Sequence, residues 1–224
     1  MAGQAVRLAV FDCDGTLVDS LGAIAAAAVA SFEAEGLRPP AASDVQGVVG
    51  LPLIEALGRL APDGADLEKL REGYSEAYRT LIADPAMHEP LYEGALEALD
   101  ALEAAGVLLG IATGKGRRGL NGVLERHGIE DRFVTLKTSD DGPGKPNPHM
   151  LHAAMAEAGA LAADTIMIGD TTFDILMAAN AGVPALGVTW GYHSEAELSA
   201  AGASGLVSVF AEVAPAFERL TEGL

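Results

Sequence analysis

The chain has 224 residues, half of them hydrophobic, which suits one large domain or a domain with a smaller companion. Fourteen basic against thirty-two acidic residues leave a net charge of −18, which argues against nucleic acid or an anionic membrane as main partner but not against a small anionic substrate. The single cysteine, Cys13, excludes an internal disulfide, no apolar run approaches the ~18–20 residues of a membrane span, and the N-terminus lacks a secretion signal, so a soluble cytoplasmic monomer or homodimer is expected.

The apolar run Val6 to Phe11 has the length and composition of a buried strand. Helical spacing follows in Leu21, Ile24, Ala28 and Phe32, with Asp19 or Ser20 as N-cap and Gly36 as the stop. Beyond Pro39-Pro40, short helical pieces are expected at Asp44–Val48 and Pro52–Leu60. A longer helix is expected at Leu67–Ile82, its face including Tyr74 and Tyr78 as core residues. Nothing from Leu21 to Ile82 reads as a strand, and Asp84-Pro85 closes the stretch. The predicted organisation is therefore a core of residues 1–18 and 85–224 with a small helical domain, 19–84, inserted after the first strand.

From Gly94 onward helix and strand alternate. Leu96, Leu99 and Leu102 mark a helix ending at Gly106, and Val107–Ala112 is a strand. Arg117–His127 (helix), Phe133–Leu136 (strand), Pro148–Ala158 (helix), Thr165–Ile168 (strand), Phe173–Ala181 (helix) and Ala185–Val188 (strand) continue the pattern. A weaker alternation closes it through Leu206–Val209 and Glu212–Leu220. This order predicts an α/β fold, a Rossmann-like parallel sheet with helices on both faces. Ligands of such sheets bind at the carboxyl ends of the strands.

Those ends carry the polar residues. Asp12 and Asp14 follow the first strand, one residue apart, with Gly15 and Thr16 behind them. Two anions so close repel unless a cation separates them, and hard oxygen ligands suit Mg²⁺. The plainer reading is a polar turn. Thr113-Gly114-Lys115 follows the second strand, Gly169-Asp170 with Asp174 follows a later one, and Gly144-Lys145-Pro146-Asn147-Pro148 precedes a helix. Convergence of all four sets on one rim favours a site over separate turns.

In these motifs the chain resembles the haloacid dehalogenase superfamily, specifically its phosphatases with a helical cap after the first strand. Asp12-Cys-Asp14-Gly-Thr16 is similar to the first family motif, Thr113 to the second, Lys145 to the third, and Gly169-Asp170 with Asp174 to the fourth. Val188-Thr-Trp-Gly-Tyr192 and Gly50-Leu-Pro-Leu53 resemble phosphoglycolate phosphatase-type members.

The resemblance implies Asp12 as nucleophile and Asp14 as proton donor and then acceptor. It implies Mg²⁺ held by Asp12, the Asp14 carbonyl and Asp170. Lys145, Thr113 and the Gly114 amide would contact the phosphoryl group, Asp174 would hold Lys145 or a metal-bound water, and Gly15 would serve the turn. The implied activity is hydrolysis of a small phosphorylated metabolite, 2-phosphoglycolate being the leading candidate. A phosphomutase or pyrophosphatase could use the same site, and a non-catalytic phospholigand-binding protein would show decay at one of these positions. Asp14 separates the chain from the dehalogenase branch, which lacks the second acid. Lys115, Arg117 and Arg118 either draw anions to the rim or start a solvated helix. His149 and His152, one turn apart without a third ligand, read as helix surface, and Cys13 faces away from the acids.

Overall fold

The computed structural model describes residues 5–84, 87 and 89–222. Six strands, β1 (Leu8–Phe11), β2 (Leu108–Ala112), β3 (Phe133–Lys137), β4 (Thr165–Gly169), β5 (Ala185–Val188) and β6 (Gly205–Val207), form one sheet in the order β3-β2-β1-β4-β5-β6. Every pairing is parallel. β1 is apolar throughout because both of its faces are covered: Ala9 and Phe11 join one core cluster, Leu8 and Val10 the other.

The Phe11 face packs on α5 (Ala95–Ala104), α6 (Arg117–His127) and α10 (Val213–Glu222), through residues such as Leu99, Leu120 and Phe217. The Val10 face packs on α7 (His149–Ala158), α8 (Thr172–Ala181) and α9 (Glu195–Ala201), through Met150, Ile175 and Leu198. The chain runs from β1 to β2 and β3 on one side, then returns to β4 on the other. The strand order therefore reverses at β1 and β4, and such sheets bind ligands there.

Between β1 and α5 lie only helices among the described residues: α1 (Leu21–Ala34), α2 (Ala42–Gln46), α3 (Leu53–Leu60) and α4 (Leu67–Leu81). They share a small core of Phe32, Leu57 and Leu70, separate from the two clusters of the sheet. Of the expected Asp84-Pro85 break, Pro85 lies outside the described residues, as do 1–4, 86, 88, 223 and 224. No described helix is long and apolar enough to cross a membrane.

Several element bounds differ from the sequence reading by one or two residues, and the ends of the sheet differ for visible reasons. β1 starts at Leu8 rather than Val6. The last strand ends at Val207, because Ser208 turns out of the sheet and donates its amide to the Glu212 carboxylate at 2.8 Å. α9 is an additional helix, and Ser194-Glu-Ala-Glu197 is its signal: the Ser194 hydroxyl accepts from the Glu197 amide, and the Glu197 carboxylate accepts from the Ser194 amide at 2.8 Å.

Candidate active site

Asp12 is the first residue past β1. Its amide donates to the Ile168 carbonyl at 2.9 Å, which ties this loop to β4. The side chain is wholly buried, and Oδ1 accepts from the Cys13 amide at 2.7 Å. The same oxygen lies 2.8 Å from Lys145 Nζ, which lies 2.6 Å from Asp174 Oδ1. Lys145 is 0% exposed, so it is no solvated loop lysine: an ammonium is held there only because carboxylates face it. Its loop is fixed to α8 by the Asn180 side-chain amide, which donates to the Pro146 carbonyl at 2.9 Å.

Asp170 is also wholly buried. The Thr16 hydroxyl donates to its Oδ1 at 2.7 Å and the Tyr192 amide to its Oδ2 at 2.9 Å. Asp174 sits in the first turn of α8, where its Oδ2 accepts from the Thr171 amide at 3.0 Å and hydroxyl at 2.7 Å. Gly15 has φ +83°, and a Cβ there would overlap the Asp170 carboxylate, so the turn after Asp12 needs glycine twice over.

One carboxylate oxygen from each of Asp12, Asp170 and Asp174 lies within 4.8 Å of the others. Three buried carboxylates thus stand against one ammonium, which contacts Asp12 and Asp174, and Asp12 Oδ2 has no hydrogen-bond partner among the described residues. Hard oxygen donors and an excess of negative charge fit a divalent cation. Burial pushes the Asp12 carboxyl up to about 7, against the pull of Lys145 and with the push of Asp174. Burial, then Asp174 and Asp12, hold Asp170 well above the carboxylate range. Burial alone would lower Lys145, yet its two carboxylates outweigh that and raise it.

The strand register puts Ala112 level with Asp12, so Thr113 and Gly114 flank the same rim. Thr113 is buried; its amide donates to the Lys137 carbonyl at 3.0 Å and its hydroxyl oxygen accepts from the Lys115 amide at 3.2 Å. That bond leaves the hydroxyl proton of Thr113 free to donate elsewhere. A Cβ on Gly114 would overlap the carbonyl oxygens of Gly50 and Leu51, so the turn between α2 and α3 rests directly on this rim. A cavity of about 1030 Å³ opens between the helices and the sheet, with Asp14, Leu51, Tyr74, Tyr78 and Gly114 on its wall.

Asp14 parts from the other acids. Its Oδ1 lies 2.7 Å from Lys115 Nζ, and the Lys115 side chain is only 7% exposed. Lys115 is thus no solvated helix start: it lines the cavity with its ammonium held against Asp14. The expectation that Tyr78 is core is corrected too, since it is half-buried and its hydroxyl accepts from Lys115 Nζ at 2.8 Å. Glu89, also on Lys115, carried no sequence signal, being a lone acid in no recognisable spacing. Arg117 pairs with Asp141, and Arg118 is exposed. Cys13 lies in the apolar cluster on the Phe11 face, and burial raises its thiol. His149 and His152 are exposed on α7.

The buried acids thus gather at the reversal point of a parallel sheet, where such sheets bind their ligands. Comparison with known proteins agrees: residues 9–188 match the profile of the haloacid dehalogenase-like hydrolases, and the chain belongs to that family. It is 34% identical over 217 residues to the "Probable phosphatase IndB" of Dickeya dadantii, covering 95% of this chain and 94% of that one. It is 33% identical over 207 residues to a phosphoglycolate phosphatase of Vibrio parahaemolyticus, covering 89% and 91%. A haloacid dehalogenase-like family protein from Streptococcus pneumoniae superposes with a TM-score of 0.82 at 26% identity, over 95% of this chain and 98% of the other. Within the family, the enzyme class is that of the phosphatases.

Proposed function

We propose that the protein is a Mg²⁺-dependent phosphatase acting on a small phosphomonoester, with 2-phosphoglycolate the first candidate, through an aspartyl-phosphate on Asp12. One observation carries the reading: Asp12 is anchored through Oδ1 by Lys145 and the Cys13 amide while its Oδ2 has no partner. A carboxylate fixed at one oxygen and unbonded at the other is poised to attack. The phosphoglycolate phosphatases among its relatives support the substrate.

In the first step Asp12 Oδ2 bonds to phosphorus as the ester P–O bond breaks, and Asp14 gives its proton to the leaving oxygen. In the second, Asp14 takes a proton from water, the water oxygen bonds to phosphorus, and the P–O bond to Asp12 breaks with its electron pair returning to the carboxylate. Phosphate leaves, and Asp14 is protonated again. Lys145 holds positive charge beside Asp12 throughout, and the Thr113 hydroxyl and Gly114 amide donate to the phosphoryl oxygens. Mg²⁺ bound by Asp12, Asp170 and the Asp14 carbonyl would neutralise repulsion between the nucleophile and the phosphate. Asp174 keeps Lys145 in place. Residues 19–84 act as a cap over the core formed by 1–18 and 85–224, closing to exclude water and opening for release.

The test is a panel of small phosphate esters compared by kcat/KM. Activity should vanish in EDTA, return with Mg²⁺ and be highest on 2-phosphoglycolate, and Asp12→Asn should bind substrate without turnover. Turnover by Asp12→Asn would overturn the covalent route, and preference for another ester would overturn the substrate.

A further inference from the structure

We infer that Lys115 is a positioning residue for Asp14 and that Tyr78, reaching in from the helical insertion, completes its seat. The inference rests on the reading of Asp14 as proton donor.

An ammonium has three N–H donors. Around Lys115 Nζ stand three acceptors, Asp14 Oδ1 at 2.7 Å, the Tyr78 hydroxyl at 2.8 Å and Glu89 Oε1 at 3.0 Å. Every donor is occupied, so Lys115 has none left to anchor a substrate. The seat is braced from behind. Glu89 is 1% exposed, with Arg126 3.4 Å from its Oε2 and the His127 ring 2.7 Å from its carbonyl, both on α6. Tyr78 also donates to Glu89, and its ring stacks on Tyr74 at 5.8 Å.

The consequence falls on Asp14. Among the described residues its carboxyl makes no side-chain hydrogen bond other than the one from Lys115 to Oδ1. That oxygen accepts whether or not the group carries a proton, so the carboxyl stays aimed through both halves of the reaction and Oδ2 is left to carry the proton. Tyr78 belongs to α4, so this seat is whole only with the helical insertion against the sheet.

The experiment uses the full chain with Mg²⁺ and two esters. 2-Phosphoglycolate releases an alkoxide that must be protonated; p-nitrophenyl phosphate releases an anion that need not be. Asp14→Asn sets the reference skew. Lys115→Met should lower kcat/KM on the alkyl ester about 100-fold and on the nitrophenyl ester less than about 5-fold, because kcat/KM reports the step that releases the leaving group, before the water step in which both esters need Asp14 as base. Tyr78→Phe removes one hydroxyl without stranding a charge, and should show the same skew at about 3–10-fold. Equal losses on both esters in both variants would overturn the inference, as would a raised KM with unchanged kcat, which would make Lys115 a substrate anchor. Wild-type protein that hydrolyses neither ester would instead overturn the phosphatase reading beneath it.

Discussion

Lys145→Met tests the electrostatic design of the site independently of any substrate. Methionine keeps the length and apolar stem of lysine, so the change removes charge more than volume. The ammonium lies 2.8 Å from Asp12 and 2.6 Å from Asp174, and all three side chains are 0% exposed. Removing one partner of a buried pair leaves uncompensated charge and costs about 3–5 kcal/mol. For a chain of this size, about 2–4 °C of melting temperature per kcal/mol translates that into a fall of about 6–20 °C. Thermal unfolding followed by circular dichroism in EDTA measures it. Adding Asp174→Asn to Lys145→Met should recover part of the loss, since the two residues touch and their effects will not add. A fall of less than about 3 °C in EDTA would mean that Lys145 does not carry the charge balance of the buried acids.

Two further outcomes follow from the same geometry. Asp12 is raised from 3.8 to about 7, so the folded metal-free chain holds that proton more tightly than the unfolded chain. Stability from this group is therefore fullest below the unfolded value and is lost as pH rises towards 7. In EDTA, the melting temperature of wild type minus that of Asp12→Asn should decrease as pH is raised through this range; an increase would contradict it. Gly114→Ala puts a Cβ against the Gly50 and Leu51 carbonyls and must push the α2–α3 turn off the rim. A displacement near 1 Å costs on the order of 10²-fold in kcat/KM, while the melting temperature should move little. Unchanged kcat/KM would show that contact at this turn is not needed for catalysis.

The sheet was legible in the sequence because its strands are short apolar runs punctuated by Gly and Asp, and because α-periodic segments separate them. Asp12, Asp170, Asp174 and Lys145 were legible for the same reason: each stands one or a few residues beyond a strand or before a helix. Thr16 and Tyr192 were seen only as a turn residue and part of a family-like block, yet they supply the two hydrogen bonds that hold Asp170. Lys115 and Glu89 could not be paired from spacing, since their partners lie 101 and 37 residues away for Asp14 and Arg126. Tyr78 misled because a helix face carrying Leu67 and Leu70 continues into it. The helix turns Leu67 and Leu70 into the small core and Tyr74 and Tyr78 onto the cavity wall.

The net charge of −18 at first opposes a phosphate ester as substrate. Screening decides otherwise: with a Debye length of about 8 Å at physiological salt, distant acids on the sheet's outer helices count for little at the rim. Near the cavity the balance differs, with Arg79, Arg118 and the Glu68-paired Arg71 on its wall against Asp140 and the Lys115-paired Asp14. Below them Lys145 stands beside Asp12. On the proposed reading an anion meets a favourable field at the arginines of the cavity wall, and at the buried acids only once a divalent cation offsets their excess charge. The proposed cap would then help to attract the ligand as well as enclose it.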